Sequence, residues 1–373
     1  MKKISNIILY CCCFSLFLIS CAKKENSSGS SSSSATTSSS DDTSSSFSVS
    51  EITQTNEGDG YLSGSFVVPS DGISFMLATF MDNNSVVAFY SLSDPDGTNI
   101  LSSLGTWGGY GFASVLVPQT PNFSAKAGTW TFKNYANDRV KLSLRTGSTP
   151  SAATITVQPY ITGTTWSAND IASALSVMSN IYNTNGITLS LKDTITISES
   201  QYATVSSSFT DSTTSALVSQ GSKDTVNLFF VEDQPSSETA LYGVSAGLPG
   251  TMGIASSWNG VINYLSAHAT GSTLNSQLLG ETAAHEMGHW LGLFHTTEAN
   301  GTSFDPLSDT AQCAISRDND NDAKVYPEEC VGYGADNLMF WTAWSTSSQA
   351  AGRTQENLSS EQQYILKYSP VAK

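Results

Sequence analysis

Residues 282–295 read T-A-A-H-E-M-G-H-W-L-G-L-F-H. His285 and His289 stand four residues apart, which on an α-helix sets both imidazoles on one face and aims them at one point. Glu286 lies beside that point, where a carboxylate takes a proton from a metal-bound water. Gly292 follows three residues after His289 and suits the left-handed turn that ends a helix. That turn swings His295 back as a third nitrogen ligand. Three neutral histidines around one open position make the tetrahedral zinc site of a hydrolase. The competing reading is an H-E-x-x-H arising by chance on an amphipathic helix. Against it stand the correct offsets of Gly292 and His295, and the placing of three of the chain's four histidines here.

The extended pattern resembles that of the metzincin zinc endopeptidases. H-E-M-G-H-W-L-G-L-F-H-T is most similar to their pappalysin and cytophagalysin branch, and the resemblance covers about the last two hundred residues. It implies an α+β catalytic domain, zinc on His285, His289 and His295, Glu286 as general base, and protein or peptide substrates. It also implies a methionine-containing turn beneath the metal. Met339, within D-N-L-M-F-W at 336–341, lies forty-four residues beyond His295 and fits that turn. Related enzymes often carry tyrosine two residues after the methionine; here the residue is Trp341, whose indole donates a hydrogen bond but neither ionises nor ligates zinc.

The 373 residues leave room for two domains with real cores. A net charge of −16 and a pI near 4.4 argue against nucleic acid, whose phosphates would be repelled. The scarcity of charged residues and abundance of Ser, Thr and Gly suit an exported, β-rich protein. Lys2 and Lys3 precede a short apolar run at 7–19, the pattern of a secretory signal. L-I-S-C at 18–21 resembles a bacterial lipobox, which implies acylation of Cys21 and a lipid anchor to a bacterial cell envelope. An ordinary signal with an incidental cysteine is the alternative. From residue 25 to about 46 the chain is nearly all serine and cannot bury enough apolar surface to order itself. It reads as a tether spanning roughly 25–30 Å.

Short β-prone runs at 61–68, 73–80, 86–92, 128–132, 140–144 and 153–157, separated by turn formers such as D-P-D-G at 94–97, suggest an antiparallel sandwich. No chemistry-bearing constellation appears in it. Trp107, Tyr110 and Phe112 form either a binding patch or ordinary packing. From about residue 162 the pattern changes. Ser167 and Asp170 resemble a capping box, Ile171, Leu175, Met178 and Tyr182 share a helical face, and Asn185-Gly186 stops that helix. Residues 187–191 alternate as a strand, and 225–231 read as a buried central one. The segment 254–265 is expected to contain the edge strand that, by the resemblance, pairs with an extended substrate. The helix bearing the histidines is expected to start near Thr273.

A second loop, D-N-D-N-D-A-K-V-Y-P-E-E at 318–329, sets side-chain oxygens at positions one, three, five and twelve, the spacing of an EF-hand calcium loop. Asp318, Asp320, Asp322 and Glu329 would hold calcium, with the Lys324 carbonyl at position seven. Ala323 stands where glycine normally makes the sharp turn, and an acidic solvated loop is the other reading. Cys313 and Cys330 bracket the loop. With Cys21 acylated they are the only cysteines left after signal removal, and in an exported protein they are expected to pair. Closing about eighteen residues contributes on the order of 3 kcal/mol by chain entropy. Asp305 and Asp309, just upstream, either orient ligands, bind a second ion or sit in a plain loop.

The expected organisation is thus a lipoprotein signal at 1–20, a tether at 21–46, a β-sandwich-like domain at 47–160 and an α+β metzincin-like catalytic domain at 161–373. The expected activity is zinc-dependent endoproteolysis at or beyond the cell surface. The alternative from another class is an adhesin or host-protein binder with a structural zinc site, against which the retained Glu286 argues.

Overall fold

The computed structural model describes residues 45–373 apart from residue 59 and residues 82–84, 105–107 and 136–138. The signal, the tether up to residue 44, Cys21 and Trp107 lie outside the described residues; Ser46, the last residue assigned to the tether, already opens the first strand. Among those described, no helix is long and apolar enough to cross a membrane.

The N-terminal part is two packed antiparallel sheets. Its strands are β1 (Ser46–Ile52), β2 (Thr55–Asn56), β3 (Tyr61–Val68), β4 (Gly72–Phe80), β5 (Val86–Val87), β6 (Phe89–Ser93), β7 (Gly109–Tyr110), β8 (Phe112–Val117), β9 (Gly128–Tyr135) and β10 (Arg139–Thr146). One sheet runs β1-β10-β4-β8, the other β2-β3-β9-β6, and β5 pairs with β7. Phe66, Phe75 and Trp130 close the core between the sheets, Phe75 lying 5.0 Å from each of the other two rings.

Strands β4 and β8 carry no exposed residue. Side chains alternate across a strand, so this means that both faces are covered. Phe75 and Leu77 point into the sandwich, whereas Met76, Ala78 and Phe80 join a second core with the C-terminal helices. The β4-β8 side of the sheet is therefore a middle layer, while β1 at its other edge is largely exposed.

The C-terminal part begins with β11 (Ala153–Thr162) and continues through α1 (Ala168–Thr184), β12 (Ile187–Leu191), β13 (Ile195–Ile197), α2 (Ser212–Val218), β14 (Val226–Val231), β15 (Gly243–Ser245), β16 (Val261–Tyr264), α3 (Ser276–Trp290) and α4 (Ser360–Tyr368). The sheet order is β12-β11-β14-β16-β15, with β13 also beside β11. All pairings are parallel except β15 with β16. The Ser167 amide donates to Asp170 Oδ2 at 2.7 Å to open α1, and Gly186 (φ 77°) follows its end. Ile171, Leu175, Met178 and Tyr182 pack with Leu279, Ala283 and Met287 of α3 in one core. Gly280 allows the close crossing, since a Cβ there would fall 2.6 Å from the Ala174 carbonyl oxygen.

Three expectations are corrected. The run at 153–157 belongs to β11, inside the parallel sheet between β12 and β14, and not to the sandwich. A β-prone run looks the same whichever sheet receives it, because the partner strands are distant in sequence. The edge strand is β15, upstream of 254–265; β16 in that segment is fully buried between β14 and β15. Finally, α3 starts at Ser276, where Asn275 Oδ1 accepts from the Leu278 amide at 3.1 Å, while Thr273 lies in a short hairpin strand.

Candidate metal centre

Helix α3 presents His285 and His289 on one face, and the chain leaves it by a glycine-dependent reversal. Gly292 has φ 105°, its amide donates to the His289 carbonyl at 2.9 Å, and the Leu293 amide donates to the Gly288 carbonyl at 2.9 Å. These two bonds are a Schellman closure. The return brings His295 Nε2 to 3.2 Å from His285 Nε2 and 3.0 Å from His289 Nε2.

The other ring nitrogens identify the tautomers. His285 Nδ1 lies 2.7 Å from the Leu338 carbonyl, His289 Nδ1 2.7 Å from the Leu293 carbonyl, and His295 Nδ1 3.1 Å from Glu298 Oε1. Carbonyls and carboxylates only accept, so each Nδ1 carries the proton and donates. With the protons on Nδ1, the His295 Nε2 lone pair faces those of His285 and His289 at 3.2 and 3.0 Å, and all three nitrogens lie within 4.8 Å of one another. That arrangement is repulsive unless a cation sits among them, so the donor set fits a divalent metal such as zinc. Burial, reinforced by the neighbouring His295, pulls the His285 imidazolium down to about 3 and lowers that of His289, which holds both rings neutral as ligation requires. His295 is 4% exposed, whereas His285 and His289 are half-buried and open to one side.

Glu286 lies against the edge strand β15. A Cβ on Gly243 would fall 2.8 Å from Glu286 Cγ, and the Ser245 amide donates to the carboxylate. Burial pushes this carboxyl up to about 8, and the Ser245 bond opposes the shift. A divalent cation beside it would favour the ionised form.

Met339 is fully buried beneath the helix. A Cβ on Gly288 would fall 2.6 Å from Met339 Sδ, so the glycine between Met287 and His289 makes room for the turn. The same turn bonds the triad once and its neighbour once: the Leu338 carbonyl accepts from His285, and the Met339 carbonyl accepts at 2.9 Å from the amide of Thr296, the residue after His295. Trp341 is 4% exposed and its indole donates to the Val325 carbonyl, so its polar edge is committed to the acidic loop and not to the histidines.

That loop is covalently closed: Cys313 and Cys330 form a disulfide, with Cα atoms 5.6 Å apart. The carboxylates of Asp318, Asp320 and Asp322 converge. Asn321 (φ 62°) and Ala323 (φ 67°) are both left-handed, so alanine adopts the conformation that glycine ordinarily supplies at position six. Glu329 departs from the expectation. Its two oxygens accept from the Asn319 and Tyr326 amides, and it is outside the converging group. The Lys324 amide donates to Asp322 Oδ1 at 2.9 Å. Upstream, Asp305 Oδ1 accepts from Thr310 Oγ1 at 2.6 Å, and Asp309 Oδ2 accepts from the Glu361 amide in the first turn of α4.

Sequence reasoning missed Glu298, the carboxylate that orients His295. A carboxylate three residues after the third histidine was the available signal. It also missed the Leu293 and Leu338 carbonyls, which have no signal, because every residue carries one.

Comparison with known proteins falls on the same region. A family model described as metallo-peptidase family M12B, reprolysin-like, matches residues 168–296. An extracellular metalloprotease of Colletotrichum graminicola is 36% identical over 111 residues, covering 26% of this chain and 37% of that protein. Extracellular metalloprotease 1 of Coccidioides posadasii is 25% identical over 179 residues, covering 48% of this chain and 62% of that one. The chain thus spans 37% and 62% of these relatives' lengths. An archaemetzincin structure from Methanopyrus kandleri covers 58% of this chain and 94% of its own, at 11% identity and a TM-score of 0.31, a score at which no shared fold is established. The matched segment runs from the first turn of α1 to the residue after His295, so the similarity to metalloproteases rests on the part of the chain that builds the triad.

Proposed function

We propose that this chain is a zinc-dependent endopeptidase of the metzincin type, with a sequence resemblance to the pappalysin and cytophagalysin branch. The observation that carries the proposal is the convergence of three Nε2 lone pairs whose Nδ1 protons are all engaged elsewhere, with Glu286 one residue along the same helix. His285, His289 and His295 would hold the metal. Bound zinc supplies Lewis-acid polarisation of the scissile carbonyl and a water acidic near neutral pH.

The chain's own residues do the rest. The Glu286 carboxylate accepts the water proton and returns it to the leaving amine. The Ser245 amide fixes that carboxylate beside β15. Strand β15 is the edge of its sheet, and an extended peptide lying along it would be held by main-chain hydrogen bonds close to Glu286. Met339 and the Leu338 carbonyl hold the floor and the His285 ring. Glu298 keeps His295 in its ligating tautomer.

Glu286→Gln tests the assignment. It leaves all three imidazoles in place, so zinc content should stay near one per chain while peptide turnover falls by roughly 10²–10⁴-fold. His289→Ala should lose both metal and turnover. Near wild-type cleavage by the glutamine variant would refute the role of Glu286.

The proposal extends to calcium in the loop closed by Cys313 and Cys330, on the convergence of Asp318, Asp320 and Asp322. It extends also to export and acylation at Cys21, with the serine-rich tether lifting the enzyme off a bacterial envelope. Partition into a detergent phase, abolished by Cys21→Ala, is the expected outcome; persistent partition of that variant would point to a different anchor.

A further inference from the structure

Strand β8 sends its side chains to two destinations. Val115 and Val117 enter the sandwich core, while Phe112 and Leu116 enter the core that contains α3. Ser114, between those two, is fully buried, and its hydroxyl donates to the Pro249 carbonyl at 2.6 Å. Each of the three outward residues meets a segment that leads directly to the metal centre.

Leu116 packs on the reversal after α3: a Cβ on Gly292 would fall 2.5 Å from Leu116 Cδ2. The next residue is Leu293, whose carbonyl holds the His289 ring at 2.7 Å. Phe112 packs on the loop after β15, where a Cβ on Gly247 would fall 2.6 Å from its Cε1. Two residues earlier is Ser245, whose amide holds Glu286 and whose hydroxyl donates to the Gly247 carbonyl at 2.9 Å. Phe112 also stacks on Trp258, centroids 5.5 Å apart. Ser114 ties the far end of the same loop, which is anchored further by the Gly250 amide donating to the Trp290 carbonyl at 2.9 Å. Glycine at 247 and 292 means that no side chain cushions either contact, so the positions of both backbones follow β8.

We infer that Phe112, Ser114 and Leu116 are positioning residues for the metal centre and for the substrate-pairing strand, so that the sandwich is a structural half of the active site and not a spacer. The inference rests on the protease reading for its substrate-strand part and on the histidine triad alone for its metal part. Contacts at alternate positions of one strand move together, so a displacement of β8 reaches His289 and Glu286 at once.

The alternation supplies the experiment. Leu116→Ala and Ser114→Ala act on the outward face of β8; Val115→Ala acts on the inward face of the same strand. In the full-length protein, zinc affinity is measured by competition with a chromophoric chelator, alongside kcat and KM for an extended peptide and the urea midpoint. Leu116→Ala is expected to weaken zinc binding by roughly 10-fold or more, the scale of lost ligand support, and Leu116→Met to restore most of it. Ser114→Ala, a change too small to threaten folding, is expected to raise KM several-fold with little change in kcat. Val115→Ala should lower the urea midpoint while leaving zinc affinity and KM within about two-fold of wild type. Equal effects of Leu116→Ala and Val115→Ala on zinc affinity at matched stability, or no effect of either outward variant, would overturn the inference. If the wild-type chain binds zinc yet cleaves no peptide, the protease reading fails, and the affinities still decide the positioning role.

Discussion

Replacing Gly288 by alanine probes how rigidly the methionine turn is locked to the metal-binding helix. The new Cβ would fall 2.6 Å from Met339 Sδ and 3.3 Å from its Cε, and Met339 is 0% exposed, so the thioether has little space to retreat. Alanine gains about 1 kcal/mol of helix propensity over glycine. Overpacking a buried contact costs about 1–3 kcal/mol. The single variant is therefore expected to lose between zero and about 2 kcal/mol, a range too near neutral to decide anything by itself. The double-mutant cycle decides it. Met339→Ala alone should cost about 2–5 kcal/mol. Adding Gly288→Ala to that background removes the clash and leaves only the propensity gain, so the second change should stabilise by about 1 kcal/mol. The predicted coupling is thus about 1–3 kcal/mol, readable from urea midpoints of the four metal-free proteins. Zinc affinity should fall in the Gly288 single variant as well, because the residue before Met339 supplies the carbonyl that holds His285. If Gly288→Ala stabilises by about 1 kcal/mol in both backgrounds, Met339 moves aside freely and the turn does not hold the site.

Two further outcomes are expected. Burial, aided by the charge of Glu356, pushes Glu281 up to about 7 from an ordinary value of 4.5. A folded value above the unfolded one means that the stabilising contribution is complete below about 4.5 and is lost as pH rises through about 7, at most about 3 kcal/mol. Glu281→Gln should therefore gain on wild type in thermal midpoint between pH 5 and 8; a difference that stays constant with pH would count against the shift. Calcium should raise the melting temperature and Asp320→Ala should remove that effect; superimposable melting curves in calcium and in a calcium-selective chelator would exclude a structural ion in the 318–329 loop.

Short-range relations in this chain were legible because covalent geometry enforces them. His285 and His289 share a face since a helix turns every 3.6 residues, and Gly292 marks the reversal since little else tolerates φ 105°. The cap at Ser167 and the pairing of Cys313 with Cys330 are equally local statements, and the structure has both. What lay beyond the sequence is what depends on distant partners. Whether residues 153–162 joined the sandwich or the parallel sheet was decided by β12 and β14, not by their own composition. The edge position of β15 follows from which strand failed to gain a second neighbour. Strand β8 shows the limit most clearly. Its run F-A-S-V-L-V is not among the strands read from the sequence, and its alternate side chains serve two different cores, so only the packing of one layer on the next tells Leu116 from Val115. The carbonyls of Leu293 and Leu338 carry no mark in the sequence at all; tertiary folding selected them, by bringing each to 2.7 Å from a histidine Nδ1.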